Sequence, residues 1–110
     1  MPEFDQSSFV SAKCLFDAGD LAYASASFER FLLDYPGHSQ SWFLLGVTRH
    51  RLGDLSAARD AFQRGCALDA ADIQLRLALA QVCIDLGEHL TALEACRQVV
   101  ALAPADAQAW

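Results

Sequence analysis

The side chains best suited to chemistry in this 110-residue chain are four cysteines and three histidines. A metal site built from them would need cysteines two to four residues apart, or two histidines at ligand spacing. Cys14, Cys66, Cys83 and Cys96 show no such spacing, and His38, His50 and His89 fall in three separate parts of the chain. No serine or cysteine has an evident histidine and acid beside it, as a nucleophilic triad would require. Gly37, Gly53 and Gly65 stand alone and form no phosphate-cradling loop. No pair of carboxylates stands out beyond helix caps and solvated faces. The cysteines therefore read as small apolar residues on helices, with Cys83 and Cys96 in the core. His38 and His89 read as solvated residues at helix junctions. The expectation is that this chain is not itself an enzyme and holds no catalytic centre, cofactor or metal.

If these residues are not a site, their spacing still has a cause. Shifting the sequence by 34 residues brings Gly19, Gly53 and Gly87 into line, each followed by Asp20, Asp54 or Glu88. Ala24, Ala58 and Ala92 align, as do Ala12, Gly46 and Ala80. Phe28 and Phe62 align, with Cys96 in the third copy, and Pro36 and Pro104 align around Ala70. The copies run over residues 5–38, 39–72 and 73–106, and the positions within each are numbered below as slots 1 to 34.

Each slot has a physical role. Apolar residues within a copy recur at helical spacing and predict two helices. The slot 15 glycine ends the first helix, because it takes the left-handed conformation at little cost. The acidic residue after it is placed to accept backbone N–H bonds at the start of the second helix. Small residues at slots 8 and 20 let the two helices approach, and the slot 24 aromatic fills the space beside them. A proline near slot 32 stops the second helix. Asp72 and Asp106 are then placed to cap the next helix.

On these residues the chain resembles the tetratricopeptide repeat family, whose 34-residue outline runs Trp, Leu-Gly, an aromatic, Ala, Phe and Pro. The second copy carries Trp42, Leu45, Gly46, Ala58 and Phe62, with Arg49 in place of the aromatic and Ala70 in place of the proline. The third carries Leu79, Ala80, Ala92 and Pro104, with Arg76 and Cys83 at aromatic slots. The first carries Ala12, Ala24, Phe28 and Pro36, with Ser8 where the Trp belongs. The resemblance implies an all-α fold: a right-handed α-solenoid of three helix-turn-helix hairpins, six or seven helices in one domain over residues 1–110. Residues 107–110 would begin a fourth repeat, since Trp110 holds the slot of Trp42. That placement implies a chain continuing beyond Trp110, and a bare outer face on the last helix through which the protein could dimerise; the alternative is that Trp110 folds back over Leu93 and Val100 as a minimal cap.

Composition limits the partners. The chain is 54% hydrophobic, enough for a core, and rich in helix-forming Ala and Leu. Its net charge of −6 argues against nucleic acid, whose binders present basic surfaces. The first copy carries half of the net negative charge, while the second balances four Arg against four Asp. No stretch has the length of a membrane span, and the N-terminus has no signal-peptide pattern. The expected location is cytoplasmic. One Lys against seven Arg, with no Asn, suggests a GC-rich bacterial source.

The resemblance also implies where a partner binds. In this family the first helix of each repeat lines a concave groove through slots 2, 5, 9, 12 and 13. Slot 2 holds Gln6, Gln40 and Gln74, and slot 5 holds Phe9, Phe43 and Leu77. Slot 9 holds Lys13, Val47 and Gln81, slot 12 holds Phe16, His50 and Ile84, and slot 13 includes Arg51. Phe9, Phe43 and Leu77 are expected to be apolar anchors, while Phe16 and Ile84 could equally pack between neighbouring helices. The glutamines could pair with a peptide backbone. Lys13, His50 and Arg51 form a basic spot able to meet a carboxylate, although Arg51 is equally placed to pair with Asp17 or Asp85. Two known ligand modes of the family are not matched. The clamp for acidic chaperone tails needs Lys, Asn and Arg where Phe9, Lys13, Leu44, Gln74 and Ala78 stand. The asparagine ladder of certain glycosyltransferases is replaced by Val10, Leu44 and Ala78. The resulting expectation is a scaffold that binds a peptide or helical segment of a protein partner. Two further readings are an N-terminal module of a larger transferase-like enzyme, and self-assembly by end-to-end stacking.

Overall fold

The computed structural model describes residues 6–102. They form six α-helices: α1 (Gln6–Asp17), α2 (Leu21–Asp34), α3 (Ser39–Arg51), α4 (Leu55–Leu68), α5 (Ile73–Asp85) and α6 (His89–Leu102). The described residues contain no strand. Helices pair as α1/α2, α3/α4 and α5/α6, and each pair packs on the next through α2 against α3 and α4 against α5. The Pro104, Asp106 and Trp110 assignments lie outside the described residues.

The turns follow the expected chemistry. Gly19, Gly53 and Gly87 have φ of +81°, +85° and +80°, the left-handed geometry that closes a helix. At Gly53 the glycine N–H bonds the His50 carbonyl at 3.0 Å and the Asp54 N–H reaches back to the Arg49 carbonyl at 2.9 Å. These two bonds satisfy carbonyls that the helix end would otherwise leave open. Asp54 then caps α4 through its side chain, accepting from Ala57 N–H at 3.3 Å. Asp72 caps α5 in the same way from Leu75 N–H at 3.2 Å. Asp20 forms no side-chain cap bond, so the capping role expected of this slot is met at Asp54 and not at Asp20, while the Glu88 carboxylate is engaged by Arg59 of α4. Helix α4 stops at Leu68 without a proline, on an Asp69 N–H to Gly65 carbonyl bond of 2.9 Å.

Packing follows the small-and-large pattern. Ala12, Ala24 and Ala58 are fully buried, and Ala80 and Ala92 nearly so. A Cβ built on Gly46 would lie 2.4 Å from the Phe62 ring, so only glycine fits there. One core cluster joins Phe9, Phe28, Phe31, Leu32 and Leu45. A second joins Phe62, Leu75, Leu79, Val82 and Cys83, and the Phe43 ring packs against both.

The departures from the repeat outline have structural explanations. Trp42 Nε1–H donates to the Pro36 carbonyl at 2.8 Å. Arg76, in the same slot one repeat later, donates from Nε to the Ala70 carbonyl at 2.9 Å and also bonds the Gln98 amide oxygen. Arg49, in place of an aromatic, bonds the Ala57 carbonyl at 3.2 Å and Glu29 at 2.8 Å, tying α3 to both flanking helices.

One of the cysteine assignments, Cys96 in the core, is corrected. Cys66 and Cys83 are buried, but Cys14 and Cys96 are exposed. Cys96 shares its slot with Phe28 and Phe62, which the next helix pair covers. Among the described residues no helix follows α6 to cover Cys96 in turn. His38 is likewise not a solvated junction residue. Its Nδ1 accepts from Ser41 N–H at 3.2 Å at the start of α3, and its ring stands edge-on to Phe9 and Phe31. Partial burial pulls its pKa below the ordinary 6.5.

Candidate partner-binding surface

Helices α1, α3 and α5 lie side by side, α3 touching both of the others, so their side chains form one continuous face. Between α3 and α5 it dips into a cavity of about 140 Å³ lined by Val47, His50, Phe62, Ala78 and Gln81. The floor is apolar and the rim polar, a lining suited to taking one apolar side chain from a partner while holding its backbone.

The rim is ordered by one hydrogen bond between repeats and one within α5. His50 Nε2 lies 2.7 Å from Asp85 Oδ2, and the Gln81 amide donates to Asp85 Oδ1 at 3.1 Å. These partners hold the Asp85 pKa below the ordinary 3.8, the His50 hydrogen bond being the main cause. Asp85 is thus engaged by His50, and Arg51 takes neither of the acid partners open to it from sequence. Its guanidinium stacks instead over the Phe16 ring at 4.8 Å.

The expected groove residues divide into three groups. Exposed on this face are Gln40, Gln74, Lys13, Arg51, Gln81, Leu77 and Ile84, the two aliphatics at 45% and 47%. Half-buried are Phe16, Phe43, Val47 and His50. Gln6 opens α1, and its side chain lies outside the described residues. Phe9 is a correction. Only 8% exposed, it packs on Phe28, Phe31 and His38 with ring centroids 6.2, 5.8 and 4.9 Å away. Phe9 is a core residue and offers no ring to a partner. Phe43 leans on Phe62 at 6.1 Å in the same way. Slot 5 therefore reaches the hairpin's own second helix first, and only what remains uncovered faces outward.

Sequence reasoning passed over a wider depression between α2 and α4, about 850 Å³, lined mainly by Leu32, Leu33, Pro36, Trp42, Arg49 and Arg64. The Arg64 guanidinium sits 5.4 Å from the centre of the Trp42 ring. The signal was present in the isolated Trp, which the repeat outline had already assigned to packing.

The chemistry of the remaining reactive groups is subdued. Burial raises the pKa of both Cys66 and Cys83, keeping them as thiols. Among the described residues no three His, Cys, Asp or Glu side chains are grouped to hold a metal ion, and no helix is long and apolar enough to cross a membrane.

Comparison with known proteins agrees with this architecture. Two tetratricopeptide repeat models match, one over residues 10–73 and the other over residues 73–106. The chain belongs to the tetratricopeptide repeat family. A TPR repeat-containing protein, PA0015 of Pseudomonas aeruginosa, is 39% identical over 62 residues, 56% of this chain and 59% of that protein. The TPR chain thus spans little more than half of that relative. Among solved structures, a fragment of MamA from Desulfovibrio magneticus superposes with a TM-score of 0.86 at 21% identity, covering 94% of this chain and 58% of that fragment. The Yersinia enterocolitica type III secretion chaperone SycD, solved with a peptide of the translocator YopD, superposes with a TM-score of 0.85 at 17% identity. That match covers 92% of this chain and 80% of SycD. At these identities the two structures establish the shared solenoid fold.

Proposed function

We propose that this TPR domain is a protein–protein interaction module that holds a peptide segment of a partner on the α1–α3–α5 face. The observation carrying this reading is the cavity floored by Val47, Phe62 and Ala78, with exposed Leu77 and Ile84 on the same face. An apolar side chain of the partner enters the cavity. Gln40, Gln74 and Gln81 offer amides that donate to and accept from its backbone, and Lys13 and Arg51 select for a nearby carboxylate. SycD shows that the fold can carry a peptide. The mechanism is binding, with no covalent step.

Peptide display against the immobilised chain tests the reading. Enriched peptides should share an apolar residue, lose binding to the double variant Leu77→Glu, Ile84→Glu, and keep it to Leu90→Glu on α6. Peptides that bind all three equally, or no enrichment at all, would place the function elsewhere.

A further inference from the structure

The outward face of α6 is, slot for slot, the face that α2 and α4 bury. Slots 24 and 28 hold Phe28 and Leu32 on α2, and Phe62 and Cys66 on α4, none more than 8% exposed. On α6 the same slots hold Cys96, which is exposed, and Val100, 58% exposed. Leu93 adds to this stripe at 49%. What covers slots 24 and 28 inside the solenoid is the first helix of the following repeat, through slots 3, 6, 7 and 10. On α3 these are Ser41, Leu44, Leu45 and Thr48, all buried.

Among the described residues one further helix of that type has its equivalent side chains exposed. Helix α1 presents Ser7, Val10, Ser11 and Cys14 at slots 3, 6, 7 and 10, and all four are exposed. We propose that α6 of one copy stacks against α1 of a second copy, head to tail, continuing the solenoid across the interface.

Side-chain volume supports this pairing. At the α4–α5 junction slot 27 is Gly65 and slot 3 is Leu75, and a Cβ on the glycine would come within 2.6 Å of the leucine methyl. At the α2–α3 junction the sizes are reversed, with Phe31 at slot 27 and Ser41 at slot 3, both buried. Each internal junction thus pairs one large residue with one small residue. The α6–α1 junction repeats this pairing, with half-buried Val99 at slot 27 and Ser7 at slot 3. An α6–α6 contact would set Val99 and Val100 against themselves, without the small partner. A serine at slot 3 is compatible with burial, as Ser41 shows by hydrogen bonding His38 at 2.6 Å. With Ser11 where α3 and α5 carry leucine, the junction is less apolar than the internal ones, so stacking is reversible and concentration-dependent. The two faces differ, so the contact is heterologous and continues into open chains or closes into a ring.

Sedimentation equilibrium under reducing conditions tests this with two variants at exposed sites. Val10→Glu blocks the α1 face, and the pair Leu93→Glu, Val100→Glu blocks the α6 face. Circular dichroism checks that both remain helical. The average mass of the wild-type chain should rise continuously with concentration, reaching roughly two-fold or more above the monomer at about 1 mM. Each variant alone should be monomeric. Their equimolar mixture should form a dimer and stop there, because only one compatible pair of faces remains. Wild type monomeric throughout the range, a Val10→Glu variant that still dimerises, or a mixture that stays monomeric would each overturn the proposal. The second outcome would indicate a symmetric α6–α6 contact instead.

Discussion

Arg76 makes the hydrogen bond that Trp42 makes, 34 residues further along. Each side chain donates an N–H to the carbonyl at the slot 32 turn before its helix, Pro36 for the indole and Ala70 for the guanidinium. The slot needs a long side chain with a donor at the right reach, and indole is one of two solutions found here. Removing the donor in Arg76→Ala should cost about 1 kcal/mol, the usual net value of such a bond. Arg76→Trp should cost less, because the donor returns. Urea unfolding followed by circular dichroism would compare the two, and equal losses would show that the shared bond is incidental.

Gly46 is held by the ring of Phe62. Alanine is the better helix former by about 1 kcal/mol, yet its Cβ would meet three ring atoms at 2.4 to 2.8 Å. Overpacking a filled core costs about 1–3 kcal/mol, and the Phe62 ring is only 2% exposed, with little room to turn. Gly46→Ala should therefore destabilise the domain. Gly65→Ala should be closer to neutral, since the atom it meets is the flexible end of Leu75. The ranking of the two midpoints in urea checks the argument.

Phe9 and Leu77 occupy one slot and should behave oppositely. Phe9→Ala removes a core ring and should cost about 3–5 kcal/mol. Leu77→Ala, at an exposed position, should stay within about 1 kcal/mol. Thermal or urea unfolding of the two variants would show this directly, and similar losses would contradict the burial difference.

Stability should fall in mild acid through His38. The imidazole must be neutral to accept the Ser41 N–H, and partial burial lowers its folded pKa below the unfolded value near 6.5. Between those values the unfolded chain binds the extra proton. The contribution is complete above pH 6.5 and is lost as pH falls through the lowered folded pKa. His38→Asn keeps a capping side chain without a titrating group. It should flatten the decline in stability below neutrality, while losing the ring contacts with Phe9 and Phe31. A decline of unchanged slope would assign it to other groups.

Much of the fold was legible because its determinants are local. Glycine at a left-handed turn, aspartate before a helix, and a small residue facing an aromatic each leave a mark at fixed spacing. What spacing could not show was which neighbour covers a given side chain. Cys96 has the slot of Phe28 and Phe62 but not their burial, since that burial comes from the next helix pair. Phe9 has the slot of a groove residue, but its ring is long enough to reach α2 and the cap of α3. His38 as a cap was hidden because histidine is not among the usual capping residues. In the candidate groove, the exposed glutamines and aliphatics could be placed from the repeat. The His50–Asp85 bridge and the cavity beside it could not, because both arise between repeats.

The stepwise contact pattern has a thermodynamic consequence. Among the described residues each helix pair leans only on its neighbours, and the pair at either end has a neighbour on one side. Such a chain behaves as a row of coupled units and need not unfold as a single block. Amide exchange should be fastest in α6 and slowest in α3 and α4, which are buttressed on both sides. Any ligand that bridges α3 and α5 would then act as an added coupling between units. It would stabilise the row as a whole and narrow the spread of exchange rates along it.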